Sequence, residues 1–235
     1  MPSVHRAARL AGTLLIPLVG PMQAWGSRSR FSDRDTHREP TKSGVLGLVC
    51  AALGRGRGEP LDDLRALRFG VRADRPGQPQ RDYQTAQETP ESTATLSVRH
   101  YLADARFLAG LEGDDLTLLR EIEAALKNPV WTLSLGRKSY PLTLPPYLPA
   151  TWGGSLREGV GVEEALRVEP WLCLRPGEKP PTSATLTLES DAGEITLADN
   201  PLSYRYRARS FAPRRASVHT VEMPAPENLP CIFPA

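Results

Sequence analysis

Apolar segments in this chain follow one another as strand, helix, strand, then repeat that order after a coreless stretch at 74–93, and few folds accept such a pattern. Residues 13–20 form a short apolar run ending in Gly20-Pro21, which marks a buried strand. Pro17 lies inside that run and has no N–H to give a ladder, so part of the strand is expected to lack a neighbour on one side. Residues 21–40 are polar and basic and read as a long loop. Residues 41–53 are apolar nearly all round, the mark of a buried helix that starts at Pro40-Thr41 and stops at Gly54. A short helix over 61–67 leads into a strand near 68–73. Residues 74–93 are rich in Pro, Gln, Arg and Thr and read as an excursion, either a hairpin or a disordered arm. Strand character returns over 95–111. Asp114 then caps a helix to Lys127 with Leu116, Leu119, Ile122, Ala125 and Leu126 on one side. Asn128-Pro129 ends that helix, and 130–135 reads as another strand.

This order is the split βαβ unit of an α+β, ferredoxin-like fold (βαββαβ), the architecture that RNA-recognition motifs use with RNA on the sheet or its flanking loops. The organisation predicted is an extension at 1–11, an RRM-type domain over 12–140 with an arm inserted at about 74–95, and a smaller β-rich part over 141–235. In that last part short strands are predicted at 171–174, 184–188 and 195–197. A strand over 203–211 would place Arg205, Arg207 and Arg209 on one face and Tyr204 and Tyr206 on the other. Fold alone assigns no activity.

Net charge is only +2 and demands no nucleic-acid partner. Of 29 basic residues, however, lysine supplies only Lys42, Lys127, Lys138 and Lys179, and arginine is the better fork for phosphate and the better plane for stacking. A GC-rich genome would give the same excess, so positions matter more than totals. Cys50, Cys173 and Cys231 show neither a disulfide framework nor zinc spacing, and reduced thiols in the cytoplasm are expected, with no cofactor and no metal. The basic residues ahead of 10–20 resemble a secretion signal, but the apolar run is short, contains Pro17 and lacks a cleavage site. No run approaches the length of a membrane span, roughly 20 residues.

Three stretches gather chemistry that suits RNA. The loop 23–31, with Gln23, Trp25, Arg28 and Arg30, leads past Arg38 to a helix start at Thr41, Lys42 and Ser43. A helix N-terminus favours phosphate through its free N–H groups and its dipole. A cation in the first turn is unfavourable to the helix itself, so Lys42 points to an anionic partner. Replacing Lys42 together with Arg137 is therefore expected to weaken RNA binding and leave folding unchanged. A nucleotide P-loop is excluded, because Thr36-His37-Arg38-Glu39-Pro40-Thr41 precedes Lys42-Ser43 where glycines are required. The second stretch is Gly136-Arg137-Lys138 directly after a strand, where glycine permits close approach and two cations follow. The third is the arm, with Arg81 and Tyr83, and Arg99 at its return. Stacking on an aromatic such as Trp25 or Tyr83 is worth roughly 1–3 kcal/mol per base. Catalysis has thin support: His5, His37, His100 and His219 are scattered, and only His37 lies in a basic loop where a general acid or base could act on RNA. A purely structural role, with the basic loop against an acidic protein surface, stays open.

Several motifs stand in the order of a known family. Leu14–Gly20 with Pro21-Met22-Gln23-Ala24-Trp25-Gly26 comes first, then Pro40-Thr41-Lys42-Ser43-Gly44-Val45-Leu46-Gly47-Leu48 and Phe69-Gly70-Val71-Arg72. Arg81-Asp82-Tyr83-Gln84-Thr85-Ala86, Arg99-His100-Tyr101-Leu102-Ala103-Asp104-Ala105 and Leu135-Gly136-Arg137-Lys138-Ser139-Tyr140-Pro141-Leu142 follow. Over about 12–145 the chain resembles the Cas5 family of CRISPR-associated proteins, in the RAMP superfamily, as found in type I-E Cascade. The resemblance implies an RRM-type core with a β-hairpin thumb that binds the 5′ handle of the CRISPR guide RNA (crRNA). It also implies that the protein caps a filament of backbone subunits beside the large PAM-recognising subunit, meeting target DNA only through the complex and no membrane. A separate endoribonuclease matures the guide in that subtype. In a sister subtype the equivalent subunit itself cuts repeat RNA, and that keeps a metal-independent endoribonuclease as the alternative.

Overall fold

A computed structural model describes residues 12–26, 32–87, 89, 92–172 and 181–223. Arg28 and Arg30 lie outside the described residues, as do the extension 1–11, Cys173 and Cys231.

The first strand, β1 (Gly12–Val19), is buried along its whole length. Its side chains alternate between two cores, as a strand's period of two requires: Leu14, Ile16 and Leu18 enter one, Leu15 and Val19 the other. Two short strands follow, β2 (Met22–Gln23) and β3 (Asp33–Arg34). Helix α1 (Lys42–Leu53) begins where Thr41 accepts the Gly44 N–H and ends at Gly54, whose φ of +73° lets its N–H turn back to the Ala51 and Cys50 carbonyls. Short α2 (Asp62–Arg65) leads into β4 (Arg68–Arg75). The predicted excursion is a hairpin of β5 (Gln78–Ala86) and β6 (Thr95–Ala103), and β7 (Arg106–Gly113) returns to the main sheet. The single strand expected over 95–111 is thus two, broken at Asp104, whose φ is +57°. Helix α3 (Leu116–Lys127) is capped by Asp115, one residue after the predicted cap, and turns Leu119, Ile122 and Leu126 inward.

The strand expected at 130–135 is not one. Its Val130 and Trp131 N–H groups donate to the Ala52 and Ala51 carbonyls, so this segment closes the open end of α1. The fourth strand of the ferredoxin-like order is instead β8 (Leu156–Glu158), paired to β1 at Gly12–Leu14 only. Pro17 falls in the half of β1 that has no β8 partner, where its missing N–H does no harm. After β8 come α4 (Val162–Val168), β9 (Ser183–Glu189), β10 (Ile195–Ser203) and β11 (Ser210–Glu222).

These C-terminal strands do not stand apart. One antiparallel seven-stranded sheet runs β10-β11-β9-β4-β7-β1-β8, so no boundary at 140 divides it. Strand character predicted at 171–174 is absent at Trp171 and Leu172, and the strand expected over 203–211 is interrupted, with 204–209 forming the turn between β10 and β11. Helices α1 and α3 cover one face of the sheet. On the other, α4 and Trp171 pack on Leu15, Leu108, Leu186 and Leu188. The α+β, ferredoxin-like expectation holds, but the open sheet face on which an RRM lays its RNA is covered. The flanking loops remain for a ligand.

Candidate nucleic-acid interface

Three loops converge at the N-terminal end of α1. In the first, Gln23 is fully buried and donates from Nε2 to the Leu18 and Ala105 carbonyls (3.0 and 2.9 Å). Its Oε1 accepts the Trp25 indole N–H, and the Trp25 amide donates to Thr36 Oγ1. Trp25 packs on Gly44 so closely that a Cβ there would come within 2.7 Å of the ring. In the second, Gly136 has a φ of +86° and rests on Ala24, whose carbonyl oxygen a Cβ would meet at 1.7 Å. Only glycine permits this approach. Next to it Arg137 donates to Tyr140 Oη and to the Arg34 carbonyl (2.9 and 3.0 Å), which ties the second loop to the first.

The third is the β10–β11 turn. Tyr204 donates its hydroxyl to the Ser43 carbonyl, and burial pushes its phenol far above the ordinary range. At the base of the turn Asp199 takes two N–H groups of Arg214 and, through Oδ2, the Lys42 backbone N–H at 2.8 Å. The turn thereby presents exposed Arg205, Tyr206, Arg207 and Arg209 across from Gly136, with Arg207 held at a φ of +64°. Between the loops lies a cleft of about 530 Å³. Among the described residues its lining includes Arg34, Arg57, Arg137, Arg205, Arg207 and Arg209, against a single carboxylate, Asp35.

Trp25, Thr41, Gly136 and Arg137 thus line one cleft. Two roles expected of them change. Trp25 is 1% exposed with its indole N–H already satisfied, so it forms a wall of the cleft and has no free face for a base. The helix N-terminus is already occupied, its Lys42 N–H by Asp199 and its Gly44 N–H by Thr41. Ser43 is buried beneath Tyr204. Lys138 is exposed but lines neither this cleft nor its neighbour.

Lys42 is the main correction. The anion its position demanded is internal: Nζ lies 2.9 Å from Glu189 on β9 and also donates to the Arg65 carbonyl. Burial pulls its pKa below the usual lysine value, and Glu189 opposes that pull. The side chain is 1% exposed and points away from the cleft lining. Lys42→Ala is accordingly expected to destabilise the fold by about 3 kcal/mol, the low end for breaking a buried pair, because Glu189 keeps contact with water. Urea unfolding checks this; wild-type stability in the variant would show that the pair does not hold the helix to the sheet.

On the arm, Arg81 and Tyr83 share a face with Val98 and His100, and the Arg81 guanidinium lies 5.8 Å from the Tyr83 ring. Arg99 is on the opposite face beside Asp82. None of the three lines the cleft. Arg38 and His37 line a second hollow, at the foot of the hairpin, together with His100. Among the described residues no three His, Cys, Asp or Glu side chains gather to hold a metal, and no helix is long and apolar enough to cross a membrane. Cys50 is buried, which pushes its thiol up to about 11 and makes it a poor nucleophile. Sequence reasoning missed Arg34, Arg57 and the Arg205–Arg209 turn as one surface. The available signal was arginine alternating with tyrosine, a pattern that also reads as a strand.

The loops, cleft and hairpin sit within a stretch that has known relatives. Residues 13–217 match the profile of the CRISPR-associated protein family Cas5. The chain belongs to the Cas5 family. The match runs well past 145, so the arginine turn between β10 and β11 falls inside the Cas5 region. The Cascade subunit CasD of Escherichia coli (strain K12) is 37% identical over 156 residues, which span 57% of this chain and 69% of CasD. A solved structure described as a Cas protein superposes with a TM-score of 0.74 at 44% identity, covering 91% of this chain and 98% of the other. A chain of a CRISPR RNA-guided surveillance complex superposes with a TM-score of 0.72 at 31% identity, covering 91% of each.

Proposed function

We propose that this Cas5 protein is a subunit of a CRISPR RNA-guided surveillance complex and holds the 5′ handle of the crRNA in the arginine cleft without cutting it. The single observation that carries the reading is the cleft itself, where six arginines and one carboxylate line a space bounded by Gly136 and the α1 start. Single-stranded RNA needs such a positive groove for its backbone and exposed aromatics for its bases. Tyr206 is 78% exposed at the rim and supplies the stacking face that buried Trp25 lacks. The hairpin, with exposed Tyr83 and Leu96, would reach over the RNA to the adjacent backbone subunit. The large PAM-recognising subunit would be a neighbour, and target DNA would be met only through the complex.

Gel shift of the full chain with handle RNA in EDTA tests the reading. A shifted, intact RNA is expected. Loss of affinity in Arg34→Ala, whose exposed side chain lines the cleft, is expected without a change in melting temperature. No shift at low salt would overturn the reading. One observation favours a second reading, a metal-independent endoribonuclease: His37 and His100 line the same hollow, where a general acid and base would be needed. A discrete product from repeat RNA in EDTA, lost in His37→Ala, would favour cleavage.

A further inference from the structure

The arginine cleft has a neighbour of opposite character. Across the loop at 33–38 lies a second hollow of about 530 Å³, within the range of small-molecule sites, roughly 300–1,000 Å³. The two hollows share Asp35 in their linings. Between them runs β3, whose two residues point to opposite sides as strand residues do. Arg34 lines the cleft and Asp33 lines the hollow. A chain lying in the cleft therefore needs only to cross β3 to place a group in the hollow.

Charge decides which group that is. The cleft sets six arginines against one aspartate. The hollow sets Asp33 and Asp35 against Arg38, with His37, His100 and the Gln80 amide beside them. Paired carboxylates repel a phosphate but accept N–H groups from a base edge. Pro79, half-buried Tyr101 and buried Leu102 supply apolar walls of the kind a flat ring packs against. Asp33 lies 3.6 Å from His100 Nε2 and is 70% exposed, so its carboxylate remains accessible to a ligand.

We propose that this hollow receives one unpaired nucleobase of the RNA whose backbone lies in the cleft, and that it prefers bases with an exocyclic amino group over uracil. The proposal rests on the RNA-binding reading above. Cytosine and adenine present an amino donor to the exposed Asp33 carboxylate. Uracil presents two carbonyl oxygens flanking one N–H, and its oxygens face the Asp33 carboxylate unfavourably. The hollow thus adds base selection to a surface that otherwise reads only backbone.

The test uses the full chain and labelled oligo(C), oligo(A) and oligo(U) about eight nucleotides long, within the site sizes typical of single-strand binders. Fluorescence anisotropy is expected to show oligo(C) or oligo(A) bound about tenfold more tightly than oligo(U). Asp33→Asn should bring the three within about twofold of one another at an unchanged melting temperature, since one carboxylate acceptor is replaced by an amide of mixed polarity. Free CMP should fail to displace oligo(C) at comparable concentration. Equal affinity for the three oligomers, or a preference that survives Asp33→Asn, would overturn the base pocket while leaving the RNA-binding reading intact. Displacement by CMP as effective as by oligo(C) would make the hollow a free-nucleotide site and overturn the proposal in that way. Failure to bind any oligomer would remove both readings together.

Discussion

Arg72→Ala is expected to lower the free energy of unfolding by about 3–5 kcal/mol, the range for breaking a fully buried ion pair from one side. Arg72 and Asp74 on β4 are both completely buried, and the guanidinium holds the carboxylate with two N–H groups at 2.6 and 3.0 Å. Its remaining N–H groups go to the carbonyls of Leu166, Glu169 and Pro170, at the end of α4. Asp74 in turn accepts the Leu172 amide through Oδ2 at 2.8 Å. Arg72 thus fastens the layer that covers the second face of the sheet, and alanine would leave a buried carboxylate with the Leu172 amide as its remaining partner and take the guanidinium from three carbonyls. Urea unfolding followed by circular dichroism measures the effect. The double variant Arg72→Ala/Asp74→Ala should lose less than the sum of the single losses, because the two side chains act as a unit. A loss below about 1 kcal/mol for Arg72→Ala would place the pair among ordinary surface contacts.

Arg72 also shows how much of the molecule a linear reading can reach. Phe69-Gly70-Val71-Arg72 was legible as a strand and as a family motif, yet nothing local says that an arginine in it is internal. Its partners at 166–170 are separated from it by nearly a hundred positions. Lys42 failed in the same way. Its first-turn position correctly demanded an anion, but the sequence could not distinguish an RNA phosphate from Glu189 on a strand formed far later. Periodicity served well where burial is one-sided, as in α3, whose inward Leu119, Ile122 and Leu126 were all predicted. It failed at 130–135, where an extended apolar segment caps a helix instead of joining a sheet. It failed also at 204–209, where alternation of arginine and tyrosine describes a turn with a positive φ at Arg207. The convergence of Trp25, Thr41, Gly136 and Arg137 was legible, because glycine, aromatic and helix-start signals each pointed to close approach. The other half of the cleft was not, since β10 and the turn after it reach α1 through the long-range Asp199 and Tyr204 contacts, which no local pattern announces.

The central claim is that the arginine cleft holds an RNA backbone, and its most direct test is the salt dependence of binding. With about four phosphates neutralised, the log–log slope of handle-RNA affinity against salt should be near −3 for a single strand. Arg205, Arg207 and Arg209 are exposed on one turn, so replacing all three with alanine should spare the fold. At about 1 kcal/mol for each exposed contact the triple variant should bind roughly a hundredfold more weakly. Its slope should shrink to about −1 as three phosphate contacts are lost. Unchanged affinity and an unchanged slope in that folded triple variant would mean that the RNA does not run through this cleft.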